Sequence, residues 1–136
     1  MVLPDTSVWV EFSRRGSVGR AARLAELLDA GEVATCGPVA AELLAGAREP
    51  VSERIWETLS SLPWAELAAD SWRQVGDVAA DLRRQGQTLP LTDLVIAVAA
   101  VRGGHSLWSF DTDFERIGAV LTELDLHDPG SEANRG

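Results

Sequence analysis

At 136 residues, with 46% hydrophobic and 24% charged residues, the chain has the size and make-up of one globular domain with a single substantial core. A net charge of −9 argues against simple electrostatic adhesion to nucleic acid or anionic lipid, an objection that weakens if acids hold metal ions, and the one cysteine, Cys36, excludes an internal disulfide. The longest apolar run, Leu94 to Val101, is too short for a bilayer, and Asp5 arrives without a basic stretch before it. The expectation is a cytoplasmic protein with no membrane association.

In chain order, Val2-Leu3 make a short apolar entry, and Asp5-Thr6-Ser7 then give a helix N-cap signal ahead of Val8 to Phe12. Ala21, Leu24 and Leu28 recur at helical spacing until Gly31 stops the run. Val33 to Cys36 is the next strand candidate, and Gly37-Pro38 opens a helix reaching about Ala47. Ser52 to Ser60 reads as a short helix, and Leu62 to Leu67 is ambiguous, with a strand around Trp64 as one reading. Trp72, Val75, Ala79 and Leu82 mark one face of a long amphipathic helix. Leu94 to Val101 is apolar all round, so that helix is expected inside the fold. His105 to Phe110 and Val120 to Leu124 close the series as strands, with a polar tail after them. Residues 1–125 are thus one domain and 126–136 the tail. Alternating β and α units predict a parallel sheet covered by helices, with ligands gathering beyond the carboxyl ends of the strands.

Five carboxylates stand amid apolar or small residues: Asp5, Glu42, Asp93, Asp111 and Asp113. Carboxylates rarely leave water unless paired or bound to a metal. No Lys occurs anywhere, and no Arg lies within four residues of Asp5 or Asp93. Singly, each acid has an ordinary explanation: a helix cap for Asp5, a solvated Glu42, a dipole-stabilised helix start for Asp93, a turn and a cap for Asp111 and Asp113. Together they suit a divalent cation with hard oxygen ligands, Mg²⁺ or Mn²⁺. His105, His127 and Cys36 lack zinc-type spacing, and the chain has neither a Ser-His-Asp set nor a Walker-type loop.

Four segments, taken in order, resemble the PIN-domain ribonucleases, and more closely the VapC toxins of type II toxin–antitoxin pairs. They are Asp5-Thr6-Ser7 with Val8-Trp9-Val10, Val39-Ala40-Ala41-Glu42-Leu43 with Gly46, Leu89 to Asp93 with Ile96-Ala97, and Leu107 to Phe114 with Ile117. The resemblance implies an α/β/α sandwich with a mainly parallel central sheet. It also implies metal-dependent hydrolysis of RNA phosphodiesters with Mg²⁺, or Mn²⁺ in its place. By position Asp5, Glu42 and Asp93 match the first three family acids and Asp113 the fourth, all four catalytic and metal-binding. Asp111 occupies a neighbouring position that is often polar or acidic and joins the four as a candidate metal ligand. Thr6 and Ser109 match hydroxyl positions that line such sites.

The same resemblance implies a homodimer silenced by a VapB-type antitoxin, with promoter DNA reached only through that antitoxin. Arg14, Arg15, Arg20 and Arg23, just after the first acidic segment, are candidates to guide the RNA backbone. One rival is a Mg²⁺-dependent phosphatase of another α/β fold with Asp5 as nucleophile; such enzymes carry a second Asp two residues on, where this chain has Ser7. The other rival is a catalytically idle PIN domain acting only within a protein complex.

Overall fold

The computed structural model describes residues 1–129. Two short strands, β1 (Val2–Pro4) and β2 (Ser106–Trp108), pair in parallel with Val2 opposite Ser106 and Pro4 opposite Trp108. Single parallel bridges widen this pair on both sides: Val33 joins Val2, Trp64 joins Thr35, and Leu126 joins Leu107. Backbone bonds carry the continuation, among them Ala34 N–H to the Val2 carbonyl at 2.9 Å and His127 N–H to the Leu107 carbonyl at 2.7 Å. Across the sheet the segments therefore run Trp64, Thr35–Val33, β1, β2, Leu126. The chain steps outward from β1 in one direction, then crosses to its other side. Direction reverses between β1 and β2, and in a doubly wound sheet that crevice receives ligands.

The helices follow local signals. Asp5 is the N-cap of α1 (Thr6–Arg15), its side chain accepting from the Val8 amide. A 3-10 turn (Gly16–Val18) leads to α2 (Arg23–Asp29), and Gly31, at φ 69°, turns the chain toward Val33. Pro38 sits in the first turn of α3 (Gly37–Ala45), where a missing N–H costs nothing. Then come α4 (Val51–Ser60), the long α5 (Ala69–Arg84), α6 (Leu91–Gly103) and α7 (Asp113–Val120). With the sheet between helical layers, the architecture is the expected α/β/α sandwich.

Every residue of α6 from Leu94 to Ala100 is buried, as its unbroken apolar run implies, and α6 packs on α3, α5, α7 and β2. Asp93 stands in the first turn of this buried helix, so its carboxylate is carried to the edge of the core by apolar neighbours. Gly104 ends α6 in the left-handed region, at φ 71°, and the chain enters β2 almost at once.

Two expected elements differ. Val120 to Leu124 is not a strand: Val120 closes α7, and the sheet contact falls at Leu126. Phe114, Ile117 and Leu121, all buried, form a helical stripe whose trailing end imitates a strand in the sequence. On α5 the buried side is Ser71, Val75, Val78 and Leu82, and Trp72 is 51% exposed. Val33 to Cys36 and the stretch around Trp64 do join the sheet, through single bridges. Of the expected tail, 130–136 lies outside the described residues.

The rotation of α5 is testable by urea unfolding. Leu82→Ala is expected to cost about 2–5 kcal/mol, and Trp72→Ala about 1 kcal/mol or less. Equal losses would mean that Trp72 belongs to the core.

Candidate metal centre and active site

The acids meet because β1 and β2 end side by side. Asp5 follows β1 directly, and its amide donates to the Trp108 carbonyl at the end of β2 at 2.8 Å. Only 5% exposed, it is a carboxylate with no cation partner among the described residues, satisfied instead by hydroxyls. Ser7 Oγ donates to Oδ1 at 2.5 Å, Ser109 Oγ donates to Oδ2 at 2.6 Å, and the Val8 amide adds a longer bond at 3.3 Å. Burial still pushes the Asp5 carboxyl above its usual range, because the hydroxyl bonds only partly replace lost hydration.

Those two serines also bind the loop that follows β2. Ser7 Oγ accepts from the Phe110 amide at 3.1 Å, and Ser109 Oγ accepts from the Asp111 amide at 2.9 Å. Next, Asp111 Oδ1 accepts from the Asp113 amide at 2.9 Å, which sets the entry to α7. Arg116, one turn along that helix, donates to Asp113 Oδ1 at 3.0 Å. Across the crevice Thr6 Oγ1 donates to Glu42 Oε1 at 2.9 Å, so α1 orients the acid of α3.

Among the described residues, Asp93, Asp111 and Asp113 offer carboxylate oxygens within 4.8 Å of one another, the spacing that ligands of one ion require. Asp5 and Glu42 lie outside that trio yet close enough to repel Asp93. The Asp93 carboxyl is pushed up to about 6, first by burial, then by the charges of Asp111, Asp113, Asp5 and Glu42. Two carboxylates about 5 Å apart repel by roughly 3 kcal/mol at an effective dielectric of 20. A fully ionised trio thus calls for a proton or a cation, and three hard oxygens suit an ion of the magnesium, manganese or calcium type. The donor set fits such an ion, and no His or Cys joins it among the described residues. Cys36 is buried with its thiol pushed up to about 11, mainly by burial, so it offers no ready thiolate.

Each site candidate now has a place. Thr6 bonds Glu42 and Ser109 bonds Asp5, while Asp111, matched only to a neighbouring position, stands inside the trio. Ser7 was missed. Its spacing two residues after Asp5 was visible, but its second bond, to Phe110, spans 103 positions and cannot be read locally. Of the four arginines, Arg15 lies 3.7 Å from Glu11, Arg23 pairs with Glu26, Arg14 lines a groove between α1, α3 and α4, and Arg20 stands over the Phe110 ring.

The raised Asp93 value has a signed consequence for the metal-free protein. The folded state holds this proton up to about pH 6, whereas the unfolded chain releases it near 3.8. Between those values the folded state binds more protons, so this contribution is present at low pH and is lost as pH rises toward 6. Thermal melts in chelator across that window are expected to show Asp93→Asn gaining on wild type as pH rises. A constant difference between the two would contradict the assigned repulsion.

Comparison with known proteins supplies the context for this geometry. The PIN domain family model matches residues 2–120. Over 129 residues the chain is 34% identical to a VapC ribonuclease of Mycobacterium bovis and, equally, to ribonuclease VapC11 of Mycobacterium tuberculosis, covering 91% of this chain and 96% of each relative. Among solved structures, VapBC-1 of nontypeable Haemophilus influenzae superposes with a TM-score of 0.72 at 20% identity, covering 94% of this chain and 98% of that one. The chain belongs to the PIN-domain family, and within it to the VapC ribonucleases.

Proposed function

We propose that this chain is the toxin of a type II toxin–antitoxin pair, an endoribonuclease that hydrolyses RNA phosphodiesters with Mg²⁺, or Mn²⁺ in its place, and is neutralised by a VapB-type antitoxin. The observation that carries the reading is the trio Asp93, Asp111 and Asp113, with Asp5 and Glu42 coupled to it across the β1–β2 crevice. When bound, the cation supplies positive charge for the scissile phosphate and lowers the pKa of a coordinated water.

The chain's own groups do the rest. Asp93, Asp111 and Asp113 would hold the ion, Arg116 steadies Asp113, and the Asp111 carboxylate fixes the Asp113 backbone. Asp5, clamped by Ser7 and Ser109, locks the ends of β1 and β2 together and adds its charge to the field acting on Asp93. Glu42 is exposed and aimed by Thr6, which suits it to accept a proton from the attacking water. A phosphatase with Asp5 as nucleophile fits poorly, since both of its oxygens already accept hydroxyl bonds in a buried position.

The groove that Arg14 lines encloses about 850 Å³. Trp9, Phe12, Leu43 and Ile55 line it, and so do Thr6 and Glu42. An amphipathic antitoxin helix laid in it would end beside the acids, which is how a partner could silence the site.

Two experiments test this reading. On total RNA with Mg²⁺ or Mn²⁺, wild type is expected to cleave, chelator to stop cleavage, and Asp93→Asn to reduce it to background while remaining folded. Ser109→Ala should lower activity by about 10–100-fold, the usual cost of losing a group that orients a metal-site residue. Full cleavage by folded Asp93→Asn would overturn the assignment. For the groove, Ile55→Asp is expected to leave cleavage by the free toxin intact and to weaken antitoxin inhibition at least about tenfold, or 1.4 kcal/mol. Undiminished inhibition would move the antitoxin elsewhere.

A further inference from the structure

Arg20 differs from the other arginines near the acids because, among the described residues, its guanidinium is the one seated on an aromatic ring. Its Cζ lies 4.1 Å from the centroid of the Phe110 ring. Among the described residues it pairs with no carboxylate, whereas Arg15 on α1 and Arg116 on α7 both do. Phe110 is itself held firmly. Its amide donates to Ser7 Oγ, and its ring meets buried Trp108 edge-on at 6.1 Å and 80°. Along the chain, Phe110 separates Ser109, which bonds Asp5, from Asp111, a member of the trio.

The turn carrying Arg20 is packed as closely as its seat. A Cβ on Gly19 would fall 2.6 Å from Arg15 Cβ and 3.1 Å from Glu11 Oε1, so only glycine lets this turn lie against the end of α1. A cation over a ring face is held by the ring's quadrupole, and its N–H donors stay available for another ligand. A flanking phosphate brought toward five carboxylates in a chain of net charge −9 is favoured by such a fixed counter-charge.

We propose that Arg20, aimed by Phe110, is a positioning residue that grips a backbone phosphate of single-stranded RNA flanking the one being cleaved. This rests on the nuclease reading above and adds to it the group that sets substrate register. Arg20 donates its guanidinium fork to the phosphate oxygens, and the ring beneath keeps that fork from collapsing onto the acids.

The test is steady-state cleavage of a labelled single-stranded oligoribonucleotide across a salt series, with anisotropy of the same RNA for direct binding. Arg20→Ala is expected to raise KM about tenfold with kcat within about twofold, and to lower the slope of log binding against log salt by about 0.7, one phosphate contact's worth. Arg20→Lys should keep the salt slope while losing part of the affinity. Phe110→Leu should raise KM with the salt slope nearly kept, because the charge remains and only its aim is lost.

An unchanged KM and salt slope in Arg20→Ala would overturn the proposal, as would a loss confined to kcat. A merely structural role would lower the melting temperature without altering the salt slope, and that result would also overturn it. If wild type cleaves no RNA, the nuclease reading falls, and anisotropy still decides Arg20: a reduced salt slope in Arg20→Ala supports the contact, and an equal slope refutes it.

Discussion

The structure turns on a buried carboxylate held by hydroxyl groups. Asp5 caps α1, receives Ser7 from that helix and Ser109 from beyond β2, and gives its own amide to the Trp108 carbonyl. One residue thereby joins the first helix to the adjoining ends of β1 and β2. A neutral residue of the same shape would lose charge-assisted bonds to both serines, which are stronger than bonds between neutral partners. The serines would then keep the backbone of Phe110 and Asp111 less firmly, and the loop leading to Asp113 would lose its anchor. The geometry of the acidic centre is downstream of this clamp.

Repulsion is the second organising force. Asp93 is carried by a helix whose next seven residues are all buried, so the helix cannot turn to release the carboxylate into water without exposing its apolar face. Burial of that face, at about 25 cal/mol per Å² of apolar surface, outweighs the cost of crowding one acid against its neighbours. The fold therefore stores electrostatic strain at its carboxyl edge, and a divalent cation relieves it. Arg116 sits beside Asp113, and among the described residues no guanidinium bridges the trio itself, which leaves place for an ion.

Function is spread over this edge in a graded way. The trio offers an ion site, Glu42 stands on α3, and the groove that Glu42 also lines is mostly apolar, with Arg14, Arg48 and Arg54 among its lining residues. On the proposed reading, a polyanionic substrate and an amphipathic protein partner would meet the same edge through different chemistry. Occupation of the groove at Thr6 and Glu42 bears directly on the site, since Thr6 is the residue that orients Glu42.

Much of this was legible in the chain. The apolar run of α6, the Asp5 cap, the Gly37-Pro38 start of α3 and the α/β alternation are local signals, governed by backbone sterics and by the period of apolar residues. The isolation of five acids from lysine and from adjacent arginine was also visible, and it pointed to a cation. What the sequence could not decide was anything that depends on which face an element turns inward. Trp72 on α5 and the stripe ending at Leu121 were misread because apolar side chains near an element's end look the same buried or exposed until a neighbour is placed against them. Ser7, the inclusion of Asp111 in the trio and the seat of Arg20 on Phe110 all rest on contacts across the β1–β2 crevice, between residues some ninety or more positions apart, or between α6 and the loop after β2. Residue types and local spacing determined which groups were available for chemistry; the parallel pairing of two three-residue strands decided which of them meet, because hydrogen bonds and Coulomb forces act over a few ångströms of space and take no account of distance along the chain.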